Sequence, residues 1–185
     1  MAARKYEESM DYNNFRNMIR AWPNFPRKGI VFRDINPLLR DSEGLAYIIK
    51  RLCQLLESTE IDIVAGIEAR GFVIASSVAM TLNKGLVLIR KAGKLPGPTI
   101  SEPYDIEYGS AIMEVQRDSV KSNQKVVIVD DVIATGGTAV AAATLLERLG
   151  GIISGCAFVI NLRNLGGTEK LGAKGFKVHY ILEYE

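Results

Sequence analysis

The sequence predicts an α/β fold: an open, mainly parallel sheet flanked by helices, in a single domain over residues 1–185. Three observations predict it. From residue 61 onward, short continuously apolar runs alternate with helix-period segments, as strands buried on both faces require. A chain of 185 residues is long enough to bury one sizeable core. Its composition, 48% hydrophobic and 24% charged, is that of an ordinary soluble globular protein.

Each element has its own reason. Tyr12, Phe15, Met18, Ile19 and Trp22 recur at helical spacing and predict a helix over 11–22, ended by Pro23 and Pro26. "GIVFRDINPLL" reads as a short extended piece. Asp41-Ser42-Glu43 is a cap for a second amphipathic helix, marked by Leu45, Ile48, Ile49, Leu52, Leu55 and Leu56. Strands follow at 61–66, 85–90, 125–130, 152–160 and 176–184, with helices at 70–83 and 138–150. Residues 91–103 hold three of the six prolines and two glycines, which predicts an irregular binding loop or lid. The alternating "GSAIMEVQ" at 109–116 predicts a strand that projects from the sheet or edges it.

Several function classes are disfavoured. A formal net charge of +2, without a run of five like charges, gives no electrostatic case for nucleic acid. No apolar run approaches the roughly 20 residues of a membrane helix, and the polar N-terminus does not read as a signal peptide. Cys53 and Cys156 lack metal-type spacing and read as buried, reduced thiols of a cytosolic protein. The single histidine, His179, reads as structural. Tyr104 and Tyr108 suit either the core or the lid surface, and their glycine- and proline-rich setting favours the lid.

The stretch "VVIVDDVIATGGT" carries the chemistry. An apolar strand delivers Asp130 and Asp131 to its carboxyl end, where ligands collect in open α/β sheets. Gly136 and Gly137 allow a turn with exposed N–H groups, and Thr138 starts a helix. Backbone donors, the helix dipole and the hydroxyls of Thr135 and Thr138 together suit a phosphate. The carboxylates would repel that phosphate and suit hydroxyl groups or a metal ion beside it. Phosphate on one side and a diol on the other describe a ribose 5-phosphate. The competing reading is a helix cap beside a solvated Asp pair. No Walker A lysine and no GxGxxG run is present. In "IVAGIEARGF", Arg70 at a helix start makes a second anion site, for which an ordinary Glu68–Arg70 ion pair is the alternative.

These blocks resemble the type I phosphoribosyltransferases, and among them the adenine-using members. The resemblance runs from Phe25 to the end through "FPRKGIVFRDINPLL", "GIEARGF", "LIRKAGKLPGPT", "YDIEYG" and "VVIVDDVIATGGT", in the family's order. It implies that fold, with a small N-terminal hood over about the first 40 residues and a mobile lid loop. It also implies a reaction: adenine and phosphoribosyl pyrophosphate give adenosine monophosphate and pyrophosphate, with Mg²⁺ held mainly by the substrate. By the resemblance, Ala134, Thr135, Gly136, Gly137 and Thr138 bind the 5-phosphate, and Asp130 and Asp131 face the ribose hydroxyls. Glu68, Ala69, Arg70 and Gly71 form the pyrophosphate loop, often with a strained peptide in this family. Val31, Phe32 and Arg33 hold adenine. Arg90, Lys91 and Lys94 lead into the lid, some of them serving the partner's site in a homodimer. Glu107 and Tyr108 close on the base. A cytoplasmic purine-salvage enzyme is the expectation, with no nucleic-acid or membrane partner.

In that chemistry, positive charge builds on the sugar ring while negative charge gathers on the leaving pyrophosphate. Asp130 and Asp131 answer the first as electrostatic groups; Arg70 and loop N–H groups answer the second. Glu107 is the candidate acid–base group for the base nitrogen. Three competitors are a phosphoribosyltransferase for hypoxanthine, guanine or xanthine, a non-catalytic regulator that senses phosphoribosyl pyrophosphate, and a phosphoribosyl pyrophosphate synthetase.

Overall fold

The computed structural model describes residues 12–106 and 109–185. The chain divides into two compact units, Met1–Arg51 and Leu52–Glu185.

In the N-terminal unit, α1 (Tyr12–Asn17) is followed by strands β1 (Arg20–Pro23) and β2 (Val31–Asp34), then α2 (Asn36–Arg40). The helix expected over 11–22 therefore stops at Asn17. Turn bonds from the amides of Met18 and Ile19 close it, and Trp22 pairs with Phe32 in the antiparallel β1–β2 ribbon. The Trp22 indole N–H also donates to Asp34 Oδ2 at 3.3 Å. The helical spacing of Trp22 thus reflects strand pairing. Phe15 and Tyr47 pack at 4.7 Å between ring centroids, beside buried Ile19, Ile35, Leu38, Ile48 and Ile49. Asp41 caps α3 (Ser42–Leu55), taking the Gly44 N–H on its side chain at 2.8 Å.

The larger unit holds a seven-stranded sheet. Its strands are β3 (Ile63–Ile67), β4 (Gly85–Lys91), β5 (Thr99–Ile106), β6 (Gly109–Gln116), β7 (Lys125–Ile133), β8 (Ile152–Leu162) and β9 (Val178–Tyr184). The order is β5-β6-β4-β3-β7-β8-β9. From β4 to β9 all neighbours are parallel; β5 and β6 form an antiparallel hairpin at one edge. Helices α4 (Arg70–Thr81), α5 (Gly137–Arg148) and α6 (Gly167–Gly172) accompany it.

The expected strand at 109–116 is β6, which meets β4 only at Arg90↔Glu114 and Lys91↔Met113 and so projects beyond it. The irregular stretch expected over 91–103 is shorter than the sequence suggests, because Thr99–Pro103 belong to edge strand β5. An edge strand tolerates Pro103, whose missing N–H need not pair. Among the described residues no helix is long and apolar enough to cross a membrane.

The core has a simple origin. Val126–Val129 of β7 are all fully buried, as are Val64, Ala65 and Ile67 of β3. Alanines 139, 141, 142 and 143 with Leu145 and Leu146 bury one side of α5. Both cysteines are free; Cys156 is buried, its thiol pushed up to about 12 by that burial, whereas Cys53 is only half-buried. His179 is half-buried on β9, and its Nε2 lies inside without a hydrogen-bond partner.

Candidate active site

The chain goes from β3 to β4 on one side of the sheet and to β7 on the other, so β3 and β7 flank the switch point. Ligands of open α/β sheets bind in the crevice at the carboxyl ends of such strands. The segment after β3 is Glu68-Ala69-Arg70-Gly71, and the one ending β7 runs from Asp130 to Thr138. The sheet therefore brings together the two anion sites expected from sequence.

Contact between them is direct. The Arg70 Nε–H donates to Oδ2 of buried Asp131 in an ion pair. At Gly71 an added β-carbon would lie 2.6 Å from Asp130 Oδ1 and 3.1 Å from the Val129 carbonyl, so only glycine admits this approach. The Glu68–Ala69 peptide is cis. Glu68 turns the other way and accepts from Arg90 Nε and from the Lys91 backbone N–H, both at 3.1 Å. In place of the Glu68–Arg70 ion pair that is the alternative for this segment, each reaches a residue of a neighbouring strand.

Electrostatics differ between the acids. Burial pushes the Asp130 carboxyl well above the usual range, and the adjacent Asp131 charge pushes it further, with Arg70 opposing. The Asp131 N–H donates to Asp130 Oδ1 at 2.8 Å. For Glu68, burial acts upward, but the Lys91 N–H and the charges of Arg90 and Lys94 outweigh it and hold the carboxyl below its ordinary value. A cationic rim of Arg90, Lys91 and Lys94 thus borders this loop.

At the end of β7, Ala134 and Thr135 are half-buried and Gly136, at φ +77°, turns the chain into α5. That left-handed conformation suits glycine. α5 begins at Gly137 rather than Thr138, and its cap contributes no side-chain hydrogen bond, which leaves first-turn N–H groups for an anion. β7 itself continues to Ile133, beyond the Asp130 expected from sequence, so both carboxylates sit within the strand.

The segment from 92 to 98 is laced to β6. Gly93 N–H donates to Glu114 at 3.0 Å, Gln116 donates to the Pro96 carbonyl at 3.0 Å, and the Ala92 N–H to the Ile112 carbonyl at 3.0 Å. Arg90 donates to the Lys94 carbonyl at 3.0 Å, and its guanidinium lies 5.9 Å from the Phe72 ring centroid. Val31, Phe32 and Arg33 lie on β2 of the N-terminal unit, where Phe32 meets Phe25 edge-on at 5.3 Å. Glu107 and Tyr108 lie outside the described residues.

Two residues near this site add to what the sequence shows. Of the two places open to Tyr104, core and lid surface, the structure shows the less favoured one: on β5 it is half-buried against the core; burial raises its phenol, and the charges of Asp130 and Glu68 add to that. The period-2 pattern of "TISEPYDI" was the available signal. Phe72, under Arg90, had none beyond its place in the helix.

Residues 33–178 match the phosphoribosyl transferase domain. The chain belongs to the phosphoribosyltransferase family. Within that family it is 46% identical to the adenine phosphoribosyltransferase of Chlorobium luteolum, over 92% of this chain and 97% of that one. The crystal structure of adenine phosphoribosyltransferase from Thermoanaerobacter pseudethanolicus superposes with a TM-score of 0.91 at 42% identity, covering 94% of this chain and 100% of the other. The Saccharomyces cerevisiae enzyme, complexed with an imino-altritol bisphosphate and adenine, gives 0.85 at 36% identity, over 92% and 98% of the two chains. The phosphoribosyltransferase fold of this chain is thus the type I fold, with its mainly parallel central sheet flanked by helices.

Proposed function

We infer that the protein catalyses transfer of the phosphoribosyl group from phosphoribosyl pyrophosphate to adenine, giving adenosine monophosphate and pyrophosphate in purine salvage. The observation that carries this reading is the direct contact of two anion-binding loops at the carboxyl ends of β3 and β7, through Arg70–Asp131 and Gly71–Asp130. Its purine is argued from the similarity to adenine phosphoribosyltransferases.

In this reading the N–H groups and hydroxyls of residues 134–138 hold the 5-phosphate, and Asp130 and Asp131 face the ribose hydroxyls. Glu68 through Gly71, with Arg90, Lys91 and Lys94, receive the pyrophosphate. Nitrogen 9 of adenine forms a bond to the anomeric carbon as the bond to pyrophosphate oxygen breaks, and that bonding pair leaves with the pyrophosphate. Asp130 and Asp131 lie where negative charge favours a sugar turning cationic. Adenine sits against Val31, Phe32 and Arg33, Tyr108 closes over it, and Glu107 handles the proton of the base. The segment 92–98 excludes water.

Mg²⁺ fits this site on the chemistry of Asp130, a hard oxygen donor in a half-buried place whose charged form a cation would favour. Asp130 and Asp131 would lie beside an ion held mainly by the substrate's own oxygens, and when bound it would supply neutralisation of the leaving pyrophosphate. The whole chain acts as one phosphoribosyltransferase domain, with about the first 40 residues as its hood. It works as a cytoplasmic homodimer, part of the Arg90, Lys91 and Lys94 group serving the partner subunit's site.

The deciding experiment supplies labelled adenine, hypoxanthine, guanine and xanthine in parallel, each with and without phosphoribosyl pyrophosphate. Conversion of adenine alone, dependent on the second substrate, is expected. Preferred conversion of a 6-oxopurine would refute the purine assignment, and no conversion of any base would refute catalysis.

A further inference from the structure

Behind the loop at the end of β7 stands a second glycine turn. β8 lies beside β7 and leads through a 3-10 turn, Arg163–Leu165, into α6. Gly167, its first residue, is buried, and Leu171 anchors the helix in the core with Ile133. A β-carbon on Gly167 would lie 2.2 Å from the Ala134 carbonyl oxygen, 2.8 Å from Ile133 Cγ1 and 2.9 Å from the Gly136 nitrogen. The fit is reciprocal: one on Gly136 would lie 3.0 Å from both the Cα and the carbonyl oxygen of Gly167. All are inside the roughly 3.5 Å at which non-bonded carbon comes to rest. The two segments touch backbone to backbone, with the Ile133 side chain alongside the contact.

We propose that Gly167 is a positioning residue for the 5-phosphate, acting as a rigid stop behind residues 134–138. This rests on the reading of those residues as the phosphate loop. A phosphate gains from N–H donors only where they already converge, and a loop of two glycines, Gly136 and Gly137, has little internal stiffness. The stop supplies it. Any side chain at 167 would push the Ala134 carbonyl and the Gly136 N–H forward together by about an ångström, a misplacement that can cost about 100-fold. Gly166 next to it makes no such contact: at φ +71° it has nothing within 4 Å of a notional β-carbon. The pair therefore separates a turn requirement from a contact requirement.

The test compares Gly167→Ala with Gly166→Asn, since asparagine accepts the left-handed turn. Ribose 5-phosphate and pyrophosphate are titrated separately. Gly167→Ala is expected to weaken ribose 5-phosphate about 10- to 100-fold while pyrophosphate, bound at residues 68–71, keeps its affinity within about threefold. Gly166→Asn should leave both unchanged. Equal affinity of Gly167→Ala and parent for ribose 5-phosphate overturns the proposal, as does an equal loss for pyrophosphate or an equal loss in Gly166→Asn. Hydrogen exchange on the parent gives a second measurement that does not depend on the variant folding. Ribose 5-phosphate should slow the amides of residues 166–170 along with those of 134–138, and protection confined to the loop overturns the proposal. A parent protein that binds no ribose 5-phosphate fails at the earlier step, and both the loop reading and this inference fall with it.

Discussion

Arg70, the first residue of α4, donates to Asp131 near the end of β7, across 61 positions of sequence. The pair ties the proposed pyrophosphate loop to the proposed ribose site, so a change in one should be felt in the other. Because the Arg70 side chain is 44% exposed, solvent screening limits the direct contribution. In a double-mutant cycle of Arg70→Gln and Asp131→Asn, a coupling of about 0.5–1 kcal/mol in unfolding free energy is expected. Catalytically the coupling should be larger, with the double variant losing little more turnover than the worse single one. Additivity in both quantities would show that the two loops act independently.

Asp130 should cost stability to keep. Burial and the Asp131 charge raise its carboxyl, so the folded protein binds that proton more tightly than the unfolded chain. Stability then falls as pH rises from the ordinary aspartate range, about 4, through the raised folded value, and stays reduced above it. Asp130→Asn removes the charge that desolvation and the neighbouring Asp131 disfavour. Its melting temperature should match the parent's below about pH 4 and exceed it at neutral pH by about 2–4 °C for each kcal/mol relieved. Turnover should fall roughly 100-fold, if the carboxylate answers developing positive charge. A variant that is less stable than the parent at neutral pH would contradict the raised carboxyl.

What could be read from sequence divides along the same line. β3 and β7 were legible because both their faces are buried, and four consecutive fully buried valines and isoleucine at 126–129 admit one explanation. β5 was not, since Pro96, Pro98 and Pro103 hide the alternation of "TISEPYDI", and an edge strand keeps its proline without penalty. Trp22 falls at helical spacing yet sits in a strand, because spacing cannot report a cross-strand partner such as Phe32. In the site, the residue types and their loops were visible, but their pairing was not. Glu68 and Arg70 are two apart in sequence, yet the sheet order sends one to Arg90 on β4 and the other to Asp131 on β7. Partner choice there belongs to topology.

Gly136 tests the loop itself. Its φ of +77° and its contact with Gly167 both exclude a branched side chain. Gly136→Val should weaken phosphoribosyl pyrophosphate binding by at least about tenfold, with hydrogen-bond loss to a charged group as the cause. Far-ultraviolet circular dichroism should stay that of the parent, because α5 is held by its buried alanines and leucines and not by its cap. Calorimetric titration giving the parent's affinity would remove this loop from the site.

Gly71 tests the contact between the loops. Its α-carbon faces Asp130, and a methyl group there would meet Oδ1 at 2.6 Å and the Val129 carbonyl at 3.1 Å. The carbonyl belongs to the central strand and cannot withdraw, so the Asp130 side chain must rotate away or α4 must move. Either response alters where the carboxylate points, while Arg70 next to it still reaches Asp131. Gly71→Ala is therefore expected to lower kcat by about 10- to 100-fold, in line with a displacement near 1 Å at a charged catalytic group, and to leave the KM for adenine within about threefold. Combining it with Asp130→Asn discriminates the cause. If misplacement of the carboxylate is the damage, Gly71→Ala should cost almost nothing further in the Asp130→Asn background. A full additional loss in that background would mean that the methyl group acts through the 68–71 loop and the pyrophosphate, and that Gly71 has no part in setting Asp130.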